Sequence, residues 1–202
     1  MMDAALGFRV HTGWAAAVVL AGPAFAPRVV ERRRFTLVDN KDHDSVFVYH
    51  AAAALDAAAA EQLVSAAREI AKAHAMRELA QLLSDLKASG YTVSAVGLPR
   101  GSGRPLPPLS DILRSHTVIH TAEGELFRLA LAEACGRQGI SITGVVSKEL
   151  LQHAAQVQGL PWQSLKTRLD ELGRSVGPPW AVDQKQAALA ALVAGAEASR
   201  LS

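Results

Sequence analysis

The chain has 202 residues, 50% of them hydrophobic, 20% charged and 5% aromatic; this suffices to bury a full core in one domain and excludes a disordered or low-complexity chain. Lys and Arg number 21 against 19 Asp and Glu, a formal charge of +2, which gives no large field for nucleic acid or an anionic membrane but leaves room for a narrow basic groove. The single cysteine, Cys135, excludes an internal disulfide framework and any multi-cysteine zinc site; it reads as a small core residue in a reducing cytosol.

The first 50 residues read as strands. Leu6 to Val10 is a short apolar run, His11-Thr12-Gly13 a turn, and Trp14 to Leu20 a second run, with Gly22, Pro23 and Pro27 marking the next connection. Arg28 to Val38 alternates without a purely apolar face, as an outer strand guarded by Arg32, Arg33 and Arg34 would. Three such strands predict an antiparallel meander. From about 51 to 88 the pattern is helical, with Leu63, Ala67, Ile70, Ala73 and Arg77 on one stripe, continued by Leu79, Leu82, Leu83 and Leu86, and Ser89-Gly90 as the stop. One helix of that length would run about 50 Å, so a kink or separate turn is expected near Asp56.

Tyr91 to Leu98 reads as a central strand, and Pro99 to Pro108 as a long loop carrying Gly101, Gly103, Arg100 and Arg104. A helical turn over Asp111 to Ser115 and a helix over Thr121 to Gln138 follow. Thr121 is the expected N-cap, with Glu123 and Glu125 in the first two turns, where the helix dipole favours carboxylates. Ile140 to Val146 is the next strand; Ser147 to Gln158, Leu165 to Leu172 and Asp183 to Ala198 are helices, with Gly177-Pro178-Pro179-Trp180 as a rigid turn. The apolar run Trp14 to Phe25 and the alanine-rich tail are too short to span a bilayer, which takes about 20 apolar residues. A soluble, cytoplasmic protein without a membrane partner is expected. No internal repeat is visible, and one domain over 1–202 is the simplest count.

This order, an antiparallel meander followed by parallel strands with helical crossovers, is an α/β arrangement that resembles the ribonuclease H-like fold. The Holliday-junction resolvase branch is the most similar locally, through Gly136-Arg137-Gln138-Gly139-Ile140-Ser141-Ile142 and through Asp183-Gln184-Lys185-Gln186 leading into Ala187-Ala188-Leu189-Ala190. The resemblance implies a nuclease with two divalent metals held by an Asp on the first strand, an acid near the end of the fourth and acids on the last helix. The sequence departs from that pattern. No acid stands between Asp3 and Glu31, the first strand offers Arg9 and His11 instead, and the fourth ends in Gly97-Leu98-Pro99-Arg100. Only Asp183 occupies a matching place, so a standard two-metal nuclease is not expected.

The densest polar segment runs from Ser115 to Arg128. His116 and His120 could share a face and, with a carboxylate from Glu123 or Glu125, bind zinc, manganese or iron or act as an acid–base pair. The alternative is a capped helix with Glu125 and Arg128 paired on its surface. His11 could point toward Asp183 or be a plain turn histidine. Trp180 could stack on a base or staple the last helix, where Asp183 could be a cap and Lys185 a ligand contact. Arg100 and Arg104 beside glycines could cradle phosphate or belong to a solvated loop.

Three functions follow as expectations. The first is a binding or regulatory protein whose cleft, lined by His11, His116, His120, Glu125 and Asp183, takes a phosphate-containing ligand or nucleic acid, with Arg9, Arg100 and Arg128 among the candidate ligand contacts. The second is a phosphoester hydrolase using a His/Glu/Asp site with a divalent metal. The third is a homo-oligomeric partner protein pairing through the alanine-rich helix near 51–80.

Overall fold

The structure, a computed structural model, describes residues 1–23, 26–39, 43–101 and 105–201. Strands β1 (Met2–His11), β2 (Trp14–Ala21) and β3 (Arg28–Thr36) form the meander; α1 (His43–Val46), α2 (Val48–Ala52) and α3 (Ala57–Ala88) lead to β4 (Tyr91–Gly97). After α4 (Leu109–Leu113) and α5 (His116–Arg137) come β5 (Ser141–Thr143), a 3-10 turn at Ser147–Glu149, then α6 (Leu150–Gln158), α7 (Trp162–Val176) and α8 (Val182–Leu201). The sheet order is β3-β2-β1-β4-β5, antiparallel through the meander and parallel from β1 to β4 and β4 to β5.

β1 is central and buried on both sides. Its even residues Leu6, Phe8 and Val10 pack with α3 and α5 in one core, while Ala5 on the other face joins Leu165, Leu169 and the α8 alanines in a second. The α8 seat is made of glycine. Gly7 on β1 pairs with Gly97 on β4, and a Cβ on either would collide with α8 carbonyls, those of Ala187 and Ala190. Small residues on both sides bring helix and sheet backbones together. Alanine close-packing thus serves α8 and the sheet.

Several expectations are corrected, but the break expected near Asp56 is present: it separates α2 from α3, and Asp56 starts α3 by accepting from Ala58 N–H at 3.0 Å and Ala59 N–H at 2.9 Å. Its buried stripe is Ala60, Val64, Ala71 and Ala75 before Leu79, Leu82 and Leu86; Ile70 is exposed, and Leu63 and Ala67 only half-buried. Leu55, Ile70 and Met76 are the large apolar residues exposed along 51–80, and Ile70 and Met76 stand about 120° apart round α3, so they form no common patch. The regular part of β5 is shorter than the predicted 140–146, but the pairing continues irregularly: Arg100 N–H donates to Val145 O at 2.8 Å and bridges Val146, while its side chain donates to Gly144 O at 2.9 Å.

α5 begins at His116, with Ser115 as N-cap, five residues before the expected Thr121. Ile119 and Ala122 are buried in the core and pull that extra turn into the helix; the Thr121 hydroxyl donates back to Thr117 O at 3.1 Å. Glu123 and Glu125 therefore stand mid-helix, away from the terminus. No helix among the described residues is long and apolar enough to cross a membrane.

Candidate functional site

The carboxyl ends of β1, β4 and β5 are where an open α/β sheet leaves a crevice. Gly7, Arg9 and His11 alternate along one face of β1. At its end the His11 ring stacks on Trp14, with centroids 4.3 Å apart and planes at 9°. The Arg34 guanidinium covers the other face of that indole at 3.7 Å. His11 Nε2 donates to Asp183 Oδ1 at 2.7 Å, reaching from the sheet to the first turn of α8. The four side chains form a column across β3, β2, β1 and α8. Its imidazole and carboxylate are 31% and 29% exposed, so solvent reaches the pair.

Arg9 stands two residues earlier on β1, and its Nε is buried without a hydrogen-bond partner among the described residues. Its charge reaches Arg128 on α5. Burial pushes the Arg128 guanidinium below its ordinary value; Glu125 opposes the shift and Arg9 adds to it. Glu125 Oε2 lies 3.5 Å from Arg128 Nε. These two side chains line a cavity of about 440 Å³ together with Arg100 and Gly144, walled by Leu98, Leu129 and Ile142. That cavity thus holds two guanidinium groups and one carboxylate, with Arg9 near enough for its charge to act on Arg128.

A separate cluster forms at the start of α5. His116 and His120, one turn apart, place their ring centroids 4.4 Å apart. His50, at the end of α2, brings its ring to 5.4 Å from His116 and 4.8 Å from His120. One nitrogen of each imidazole lies within 4.8 Å of the other two. Beneath them Glu123 is 2% exposed. Its Oε1 accepts from Tyr49 N–H at 2.8 Å, His50 N–H at 3.1 Å and His50 Nδ1 at 3.2 Å, while its Oε2 is buried without a partner among the described residues. Burial pushes this carboxyl above its ordinary range against those hydrogen bonds.

The predicted cleft is therefore divided. His11 meets Asp183; His116 and His120 meet each other and His50, and Glu123 bonds to His50 rather than to either of them. Glu125 lies five residues past His120, about 140° round the helix axis, and turns to Arg128. His50, a member of the imidazole cluster, was not among the expected residues. Trp180 is not free to stack on a base: its indole Nε1 donates to Leu169 O at 2.8 Å and its ring fills the space beside Gly173. Lys185 is held by Asp170 at 2.6 Å. Arg32 donates to four carbonyls from Val176 to Pro179 at 2.6 to 3.1 Å, and Arg33 pairs with Glu31 and Asp85. The basic run is thus engaged in structure. Arg104 lies outside the described residues.

No protein-family model matches the sequence, and neither does a curated protein. Among solved structures, Thermus thermophilus RuvC in complex with a Holliday junction substrate superposes with a TM-score of 0.57 at 8% identity, over 98% of this chain and 96% of that one. The Thermus thermophilus RuvC structure superposes at 0.55 and 10% identity, over 99% and 96%. The chain has the ribonuclease H-like fold of RuvC. The likeness is one of backbone, end to end, at an identity that says nothing about shared chemistry.

The two divalent metals implied by the RuvC-like fold do not fit the residues at its strand ends. A two-metal centre needs several carboxylates to offset its charge. Here β1 presents Arg9 and His11, Arg100 follows β4, Glu125 faces Arg128, and Asp183 is already bound by His11. A dication placed there would meet guanidinium groups.

Proposed function

We propose that the chain is a binding protein for a phosphate-bearing ligand, nucleic acid in the first place, on a RuvC-like scaffold without two-metal nuclease chemistry. The observation that carries the reading is the charge at the carboxyl end of the sheet. Arg100 and Arg128 share a cavity with Glu125, the Arg9 charge adds to that of Arg128, and the Arg9 Nε is buried without a partner among the described residues. Clustered guanidinium groups repel one another, and an anion with several acceptor oxygens relieves that repulsion while forming charge-assisted hydrogen bonds. Further support comes from the RuvC neighbour seen with a Holliday junction.

Fluorescence anisotropy with a labelled four-way junction, duplex and single strand tests it. Affinity should fall steeply with salt, because each neutralised phosphate releases counterions. Arg100→Ala with Arg128→Ala should weaken binding by about tenfold or more and flatten the log–log salt slope by about one to two units on a duplex. Binding that is absent, or equal in the double variant, contradicts the proposal. The three-imidazole cluster favours a second reading, hydrolysis of a phosphoester, which depends on whether that cluster holds a metal.

A further inference from the structure

We propose that His50, His116 and His120 form a three-nitrogen site for a first-row transition metal, zinc(II) by its donor set, with Glu123 orienting His50 from behind and a fourth position open to solvent. The site is independent of the phosphate-binding cleft and shares none of its residues.

Four observations converge. His116 and His120 are four apart on one helix, the spacing that puts two imidazoles on one face. His50 arrives from a different helix, so the fold assembles the third ring. Tetrahedral zinc with Zn–N bonds of about 2.0–2.1 Å holds its nitrogens about 3.3 Å apart. The three candidate donors already lie within 4.8 Å of one another, and both α5 histidines are exposed and free of core packing. Modest side-chain rotations close the remaining gap.

The fourth observation is Glu123. A metal-bound histidine typically donates its other ring nitrogen to a carboxylate or carbonyl, which fixes the tautomer and aims the free nitrogen at the ion. His50 Nδ1 donates to Glu123 Oε1, which leaves Nε2 as its ligating atom. A buried carboxylate is expensive without compensation, and Glu123 has one oxygen with no partner among the described residues. A cation one imidazole away supplies the missing charge. Three neutral nitrogen donors with no carboxylate or thiolate suit zinc, copper, nickel or cobalt and disfavour magnesium and calcium, which take oxygen. Exposure of the two α5 histidines leaves the outer side of the ion to water.

The test is titration of the metal-free full chain with Co(II), read by visible d–d absorption, followed by displacement with Zn(II). One equivalent should give the intense spectrum of a four-coordinate site, and one equivalent of Zn(II) should bleach it. His120→Ala, on the surface and harmless to the core, should weaken binding by about two orders of magnitude, and His50→Ala likewise. Glu123→Gln keeps the shape and an acceptor but loses the charge, and should cost about 10–100-fold. His153→Ala, which breaks the pairing of that histidine with Glu197, should leave the titration unchanged. Circular dichroism on each variant separates lost binding from lost folding. Absence of a cobalt spectrum in the wild-type chain, or equal affinity in His120→Ala, overturns the proposal.

Discussion

At the residue scale, the chemistry of the chain depends on which polar groups have partners. Asp183 is committed to His11, and Glu125 faces Arg128, so neither is a bare carboxylate waiting for a dication. The lone thiol is also silent. Burial pushes Cys135 up to about 12, and since the thiolate is the nucleophile, only about one molecule in ten thousand carries it at pH 8. Iodoacetamide at that pH should leave the native chain unmodified over a period that labels the denatured chain fully; equal rates would show that α5 opens easily. The sequence spacing exposes His116 and His120 as a pair, because four residues on a helix make one face. It hides His50, whose link to Glu123 spans 73 positions and exists only after folding. Arg9 was visible as a residue out of place on a first strand, but its opposition to Arg128 is likewise tertiary.

At the scale of elements, the α8 seat is the tightest joint. Gly7 and Gly97 sit side by side on β1 and β4, under backbone atoms of α8. Gly97→Ala therefore has no side chain to push aside and must move the helix. It should cost about 1–3 kcal/mol or more, seen as a lower midpoint in urea with unchanged m-value; a midpoint equal to wild type would mean that α8 does not pack as described. Strand and helix identities were legible because alternation and helical periodicity are local signals. The stripe of the first half of α3 differs from the predicted one because mostly alanines, not leucines, face the core there, and small residues leave little hydrophobic contrast between faces. The irregular end of β5 was illegible for another reason: which of its residues pair is decided by Arg100, 44 or more positions earlier in the chain, which bonds Gly144, Val145 and Ser147 only once the chain is folded.

At the scale of the whole molecule, element order was enough to suggest the topology, since a meander followed by right-handed crossovers admits few arrangements. The structure agrees with RuvC along nearly its full length. Function does not follow from that backbone, and the strand ends point elsewhere: a formal charge of +2 over the chain conceals a local cluster of guanidinium groups where the fold suggests carboxylates. The central claim is the proposal that this cleft binds phosphate and does not cut it through paired metals. The most direct measurement is a single reaction series in which the full chain, with Mg²⁺ or Mn²⁺, is incubated with a labelled four-way junction, and binding and strand cleavage are read from the same samples. The account predicts a retarded junction whose retention fades with salt and whose strands stay intact with either metal. Magnesium-dependent nicking at the junction by the purified chain, lost in Asp183→Ala, would contradict it.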